Sequence, residues 1–251
     1  MDANPYKHGF YLPGRRNEGI LLIHGLTSNP STLFYTGEEL NKEGYYVYAP
    51  CLPGHGTTPH NLMKTSWADW ENEVSNGIKL LKKTCESIYI IGLSLGANLA
   101  LNAGLQYPGD IKKIVAISTP IYLRKEWYIR LMTPIHKKFK DFHPKPMSEE
   151  DIEYYIKTST YDVWPYATLL ELLKGMDFTK KIIPKVQTPT CVIYSKEDPI
   201  IHPASGKFII AHLKSFDREK NFIELSGRMH MPFFGEVRDS VILEIKRFLK
   251  E

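Results

Sequence analysis

The sequence predicts an α/β fold, with helices on both faces of a mostly parallel central sheet and a small, mainly helical cap inserted into it. Short apolar runs alternate with amphipathic stretches over residues 18–118, which is typical of strands joined by helical crossovers. That alternation stops at about residue 120 and resumes near residue 187. A length of 251 residues suits one such domain with one insertion.

Six strands and five helices are predicted in the sheet domain. The first helix begins at Pro30 and ends before Gly44, as the preferences of Pro and Gly for helix ends predict. The second carries apolar side chains at three- and four-residue steps from Trp67 to Leu81, so one of its faces is expected to be buried. The third follows Ser94. The predicted strands cover residues 18–25, 45–50, 87–94, 110–119, 188–198 and 221–227, and two further helices cover residues 203–213 and 236–251.

The interruption of this pattern predicts the domain organisation. Aromatic residues stand among lysines and glutamates in the interrupted segment, without a strand-like run. Strands flank the segment on both sides, so it is expected to project from the sheet. We therefore predict a core domain of residues 1–119 and 186–251, with residues 120–185 as a helical lid.

Composition and charge exclude several classes of protein. The net charge of +4 is spread along the chain, and the one mild basic cluster, residues 136–145, is interpreted as a solvated face rather than a nucleic-acid site. Three widely spaced cysteines predict neither a disulfide framework nor a zinc site. The N-terminus lacks the pattern of a signal peptide, and no apolar run approaches the roughly 20 residues that span a bilayer. We expect a cytoplasmic protein without stable membrane insertion; the oligomeric state stays open.

Ser94 lies where a predicted strand turns directly into a predicted helix, with Gly92 and Gly96 two residues to either side. Such a tight turn crowds those two positions and pushes the serine hydroxyl outward above the sheet edge. It also places the backbone N–H of Leu95 at a helix N-terminus, which favours developing negative charge. The pattern G-x-S-x-G is the nucleophile turn of α/β hydrolases. Alone it is weak, because a glycine-rich packing turn gives the same letters.

The other parts expected of that fold are found in the required order. The loop after the first buried strand contains His24 and Gly25, and in α/β hydrolases it supplies the second oxyanion donor, here the N–H of Leu26. Asp198 follows a later strand and is the expected acid, with Glu197 as its neighbouring rival. His24 is interpreted as a structural hydrogen-bonding residue.

The base is predicted to be His230, in the loop after the last strand. The order Ser94, Asp198, His230 is the one that this fold uses. His212 lies within a predicted helix and His202 directly follows the acid turn, so neither is placed as a base should be.

The whole chain resembles the small bacterial carboxylesterases and monoacylglycerol lipases of the α/β-hydrolase superfamily. The matching stretches are LLIHGLTSNPSTL, LPGHGTTP, WADWENEV, GLSLGANLAL, EDPIIHP and the final histidine loop. The chain departs from the family where Arg228 and Met229 separate Gly227 from the histidine, and where Ala97 replaces a common glycine. His55, in LPGHGTTP, is interpreted as a shaping residue of that loop.

The resemblance implies a serine hydrolase that cleaves carboxylic esters of short to medium acyl chains through an acyl-enzyme, without metal or organic cofactor. The expected partner is a small-molecule ester. Three alternatives stay open: an amidase or peptidase, for which Glu149, Glu150 and Asp151 are the available acidic residues; a thioesterase or acyltransferase; and a non-catalytic ligand-binding homologue.

Overall fold

The central feature of the chain is a mostly parallel sheet. The computed structural model describes residues 4–146, 158–214, 221–227, 229–235 and 237–251. Within those ranges the strands are β1 (Gly9–Leu12), β2 (Glu18–Ile23), β3 (Tyr46–Pro50), β4 (Ser87–Leu93), β5 (Ile111–Ile117), β6 (Phe142–Pro144), β7 (Val163–Pro165), β8 (Thr190–Ser195) and β9 (Phe222–Leu225). The main sheet has the order β1-β3-β2-β4-β5-β8-β9, in which β1 alone pairs antiparallel.

The helices connect these strands. In chain order they are α1 (Phe34–Lys42), α2 (Pro59–Leu62), α3 (Trp67–Leu81), α4 (Leu95–Gln106), α5 (Glu126–His136), α6 (Tyr166–Ile182), α7 (Ala204–His212) and α8 (Arg238–Lys250). Side chains cap two of the helix starts. Ser66 and Asp69 form a reciprocal capping box on α3, and the Thr58 side chain accepts a hydrogen bond from the N–H of Asn61 at the start of α2.

The alternation of side chains along each strand produces two hydrophobic cores. In β2, Ile20 and Leu22 point to one face and Leu21 and Ile23 to the other. The first face packs on α1 and α8 and the second on α3, α4 and α7. Both faces are therefore buried under helices, as an open parallel sheet requires. The predicted fold class is confirmed.

Three short strands were not expected from the sequence. β1 adds an antiparallel edge beside β3. β6 and β7 pair with each other in a separate two-stranded ribbon within the insertion, for which no strand was predicted. Each of these two strands has three residues and includes a proline, Pro144 or Pro165, which hides it from an alternation pattern.

The insertion is joined to the sheet domain rather than standing apart from it. Leu172, Leu173 and Met176 of α6 belong to the same buried cluster as α3 and α4. α6 also crosses Trp67 so closely that a Cβ atom at Gly175 would lie 2.0 Å from the indole ring. The lid boundaries at 120 and 185 stay a prediction. No helix in the described residues has the length and apolar character needed to cross a membrane.

Candidate active site

Ser94 occupies the turn between β4 and α4. Its backbone has φ 54° and ψ −117°, a left-handed φ that is unusual for a residue with a side chain. A Cβ atom at Gly92 would lie 2.2 Å from the Gly96 carbonyl oxygen, and one at Gly96 would lie 2.2 Å from the Ile23 carbonyl oxygen. Only glycine fits at either position. The local packing thus accounts for both glycines of the G-x-S-x-G pattern.

His230 links Ser94 to Asp198. The Nδ1 atom of His230 lies 2.7 Å from Oδ2 of Asp198, and Nε2 lies 3.2 Å from Oγ of Ser94. A carboxylate accepts hydrogen bonds, so Nδ1 carries the proton and Nε2 is the acceptor that faces the serine hydroxyl. The predicted nucleophile, base and acid are therefore brought together in a single chain of hydrogen bonds.

The Asp198 carboxylate is held by the backbone that follows it. Oδ1 accepts hydrogen bonds from the N–H groups of Ile200 and Ile201, at 2.7 and 2.8 Å. The side chain is almost fully buried, whereas Glu197 is exposed. Since Oδ1 is occupied, Oδ2 is left to orient His230.

The other histidines considered as bases are placed elsewhere. His202 and His212 are both exposed, and their Nδ1 atoms contact the backbone of Ala204 and Phe208. The loop that carries His230 is tied to β8, because the Ser195 hydroxyl donates a 2.6 Å hydrogen bond to the Gly227 carbonyl. Arg228 lies outside the described residues.

The loop expected to supply an oxyanion donor passes directly over Ser94. A Cβ atom at Gly25 would lie 3.4 Å from Cβ of Ser94, so the chain approaches the serine closely just before Leu26. Leu95 is the first residue of α4, where backbone N–H groups have no helical acceptor. Leu95 therefore directly follows Ser94 in the chain, and Leu26 directly follows the residue that approaches Ser94.

His24 connects this loop to the loop after β3 through hydrogen bonds. Its Nδ1 lies 2.9 Å from the Gly25 carbonyl oxygen, and its Nε2 accepts a 3.1 Å hydrogen bond from the N–H of Leu52. Complete burial lowers the pKa of His24 to about 4. The His55 ring packs 4.8 Å from the His24 ring, and burial lowers its pKa well below the ordinary range. Both rings are thus neutral and act in packing and hydrogen bonding.

Two insertion residues hold the loops around the site, and no local pattern in the sequence predicted either of them. Arg124 donates from Nε to the Asp198 carbonyl and, at 3.1 Å, from Nη2 to the Lys196 carbonyl. Tyr161 donates its hydroxyl to the Gly54 carbonyl at 3.0 Å and its N–H to the Thr27 carbonyl at 2.9 Å. These contacts bind the acid loop and the Leu26 loop to the insertion.

Lys145 is the third insertion residue at this position. Its Nζ donates 2.6 Å hydrogen bonds to Oγ1 of Thr27 and to the carbonyl oxygen of Tyr161. Burial lowers the pKa of Lys145 to about 7. Thr27, like Ser94, has a left-handed backbone, with φ 61°.

No group of three or more His, Cys, Asp or Glu side chains among the described residues could hold a metal ion.

Known proteins are similar to this chain in sequence and in architecture. The chain is 30% identical over 240 residues to a carboxylesterase of Bacillus subtilis (strain 168), covering 94% of this chain and 93% of that protein. It is 29% identical over 213 residues to a thermostable monoacylglycerol lipase of Bacillus sp. (strain H-257), covering 85% and 82%.

Two solved structures are similar over nearly the whole chain. A metagenome-derived lipolytic enzyme, from a study of LipS and LipT, has a TM-score of 0.87 at 22% identity and 98% coverage of both chains. The monoacylglycerol lipase of Paleococcus ferrophilus has a TM-score of 0.79 at 19% identity, covering 96% of this chain and 97% of that one. These similarities identify the α/β-hydrolase fold. Residues 14–236 match the model of the family described as serine aminopeptidase, S33. The chain therefore belongs to this family of α/β hydrolases, and the resemblance inferred from its motifs is confirmed.

Proposed function

We propose that this protein is a serine carboxylic ester hydrolase that works through an acyl-enzyme. The observation that carries the proposal is the chain of hydrogen bonds from Ser94 through His230 to Asp198, at 3.2 and 2.7 Å. The names of the two curated relatives, a carboxylesterase and a monoacylglycerol lipase, support an ester as the substrate.

In the first half of the reaction, Oγ of Ser94 attacks the ester carbonyl carbon while Nε2 of His230 takes the hydroxyl proton. Asp198 holds the imidazole in position and stabilises its charged form. The carbonyl oxygen becomes an oxyanion, to which the N–H groups of Leu26 and Leu95 donate. Donors of this kind contribute roughly 3 to 4 kcal/mol in measured cases. The intermediate collapses when His230 returns the proton to the leaving alcohol.

In the second half, water attacks the acyl-enzyme. His230 takes one proton from that water, the same backbone donors stabilise the second oxyanion, and Ser94 leaves with the proton that His230 gives back. All of these groups are side chains or backbone of this chain, so the proposed reaction needs no cofactor.

The substrate range is proposed to be esters of short to medium acyl chains, monoacylglycerols among them. The aromatic and aliphatic residues of the insertion are proposed to supply the apolar surface that binds the acyl chain. The lid is proposed as residues 120–185, and a cytoplasmic location stays a prediction from the sequence.

A peptidase is the second candidate, because the matched family is described as serine aminopeptidase. A peptidase would use the same three side chains, and would add an acidic group that binds the substrate amine. The residues considered for that role, Glu149, Glu150 and Asp151, lie outside the described residues.

The decisive experiment combines covalent labelling with a substrate panel. A fluorophosphonate should label the wild type on Ser94 and fail to label Ser94→Ala, while the exposed Ser240→Ala serves as the matched control and is labelled normally. Purified enzyme is then compared on butyrate esters, the matching thioester and an aminoacyl amide. Turnover of the amide in preference to the ester would replace the esterase with the peptidase; failure of labelling would remove the serine mechanism.

A further inference from the structure

A stripe of large apolar side chains runs along the outer face of α5 and past its end. Trp127, Leu131 and Ile135 follow one another at four-residue steps on one face of the helix, and Phe139 comes four residues later, just past the helix end. They are 71%, 59%, 44% and 80% exposed. Large exposed apolar patches on a folded protein mark binding surfaces. We call these four residues the α5 stripe.

The opposite face of α5 is fixed to the protein. Thr133 is buried and Ile129 packs against the main core. Arg130 donates from Nη1 and Nη2 to the two carboxylate oxygens of Asp177 on α6, at 3.0 and 2.7 Å. The helix therefore cannot rotate to bury the α5 stripe, which is held outward.

Positive charges border the α5 stripe at both ends. Between residues 124 and 140 the chain has six Lys and Arg residues and one acidic residue, Glu126. Glu126 is already paired with Arg130 at 2.7 Å. Lys125 precedes the helix, and Lys137, Lys138 and Lys140 follow it around Phe139; all four are exposed.

We propose that the α5 stripe docks the protein peripherally on an anionic phospholipid bilayer. A helix with Trp, Leu and Ile on one face, Phe just past its end and lysines beside them matches the composition of helices that lie in the headgroup region. The apolar side chains enter the boundary of the acyl chains, while the lysines contact anionic headgroups. Docking does not depend on ester hydrolysis.

Charge decides between a bilayer and a second copy of the chain as the occupant. A two-fold interface on the α5 stripe would bring the same lysines from both copies together. That arrangement is repulsive, whereas an anionic surface neutralises the same charges. The basic border therefore favours the bilayer.

The test is co-sedimentation with vesicles at low salt. The protein should pellet with vesicles made of equal parts phosphatidylcholine and phosphatidylglycerol, bind weakly to phosphatidylcholine alone, and be released as salt is raised. Leu131→Glu/Phe139→Glu should lose at least about tenfold in vesicle affinity. Hydrolysis of a water-soluble ester should be unchanged, which separates loss of docking from loss of activity.

Two controls keep the result specific. Leu243 on α8 is 65% exposed, comparable to Leu131, so Leu243→Glu places one glutamate on a different helix and should bind like the wild type. The triple variant Lys137→Gln/Lys138→Gln/Lys140→Gln retains the α5 stripe, and should lose preference for the anionic vesicles. If the double glutamate variant fails to fold, this triple variant provides the test of docking instead.

A spectroscopic measurement locates the contact. Tryptophan emission should shift to the blue on binding vesicles. Trp127→Phe should still bind but lose most of the shift, because Trp67 and Trp70 are buried already and Trp164 is half-buried and stacked on His143. The proposal is overturned by absence of binding to anionic vesicles, or by equal weakening in Leu243→Glu. It is also overturned if light scattering shows a dimer that Leu131→Glu/Phe139→Glu converts to a monomer, since a second copy then covers the surface.

Discussion

Lys145 and Thr27 join the insertion to the loop that passes over Ser94, through a 2.6 Å hydrogen bond from Nζ to Oγ1. The Thr27 hydroxyl in turn donates to the carbonyl of Leu26 at 2.6 Å. A half-buried lysine in the insertion thus contacts the residue that follows the proposed oxyanion donor. The insertion is therefore hydrogen-bonded to the loop that carries this proposed donor.

Replacing Lys145 with Met should lower kcat on a soluble ester about tenfold and leave KM nearly unchanged. The reason is that a small displacement of the Leu26 N–H weakens an interaction made in the transition state, and sub-ångström errors in such groups are costly. Steady-state kinetics of Lys145→Met and Lys145→Arg check this. The exposed Lys181→Met is the control, and an unaltered kcat in Lys145→Met would contradict the positioning role.

Asp198→Asn should reduce kcat by about 10⁴-fold without loss of fold. The amide keeps the shape and an oxygen for the N–H groups of Ile200 and Ile201, but it no longer accepts the Nδ1 proton of His230, so the imidazole adopts the wrong tautomer. Glu197→Gln is the matched control, because Glu197 is exposed one residue away. Comparable losses in the two variants would show that Asp198 is not the acid that orients His230.

The parts of the site that are set by local sterics could be predicted from the sequence. Gly92 and Gly96 are dictated by backbone contacts within one strand-turn-helix unit, and the positions of Asp198 and His230 follow from where β8 and β9 end. The short, continuous apolar runs likewise predicted the strands, because both faces of the sheet are covered by helices.

The remainder depends on contacts between distant segments. Arg124 and Lys145 reach the site only once the insertion has packed on the sheet domain, and nothing in their neighbourhood in sequence distinguishes them from surface cations. β1 has four residues at the sheet edge, too few for an alternation pattern. Trp127 has a large apolar side chain, of the kind that usually lies in a core, but in this fold it is exposed.

Acidification should destabilise the protein through His24. In the unfolded chain a histidine has a pKa of about 6.5, whereas burial lowers the pKa of His24 to about 4. Between these values the unfolded state binds more protons than the folded state. The contribution of His24 to stability is therefore fully present above about pH 6.5 and is lost as the pH drops toward 4. The loss from this residue approaches about 3 kcal/mol at pH 4.

Urea unfolding at pH 7.5, 5.5 and 4.5 measures this dependence. His24→Gln should be less stable at neutral pH, because it disturbs the hydrogen bonds to Gly25 and Leu52, yet its stability should vary less with pH. The exposed His212→Gln should keep the wild-type slope. An unchanged slope in His24→Gln would assign the acid sensitivity to other groups, among them His55.

Gly175→Ala should lower stability, against the usual preference of helices for alanine. The added methyl would lie 2.0 Å from Cζ3 of Trp67, so α6 or the indole must move. Overpacking of this kind costs typically 1 to 3 kcal/mol, more than the gain of up to about 1 kcal/mol in helix propensity. Thermal unfolding of Gly175→Ala should show a lower Tm, and the double variant Gly175→Ala/Trp67→Leu should recover part of the lost Tm. A higher Tm in Gly175→Ala would mean that α6 is loosely packed there.

We also expect the insertion to determine which acyl chains the enzyme accepts. The exposure of each side chain indicates which variants should alter this preference. Burial of an acyl chain yields roughly 0.8 kcal/mol per methylene, so kcat/KM should rise three- to fourfold per methylene until the pocket ends. Leu170 is partly buried and packs against the main core, whereas Trp127 is 71% exposed. Leu170→Ala should therefore lengthen the optimal acyl chain of p-nitrophenyl esters, and Trp127→Ala should leave the profile on these soluble substrates unchanged. Both variants should keep the wild-type pH dependence, because neither touches Ser94, His230 or Asp198. If Leu170→Ala and Trp164→Ala both preserve the wild-type chain-length profile, the acyl pocket lies within the sheet domain instead.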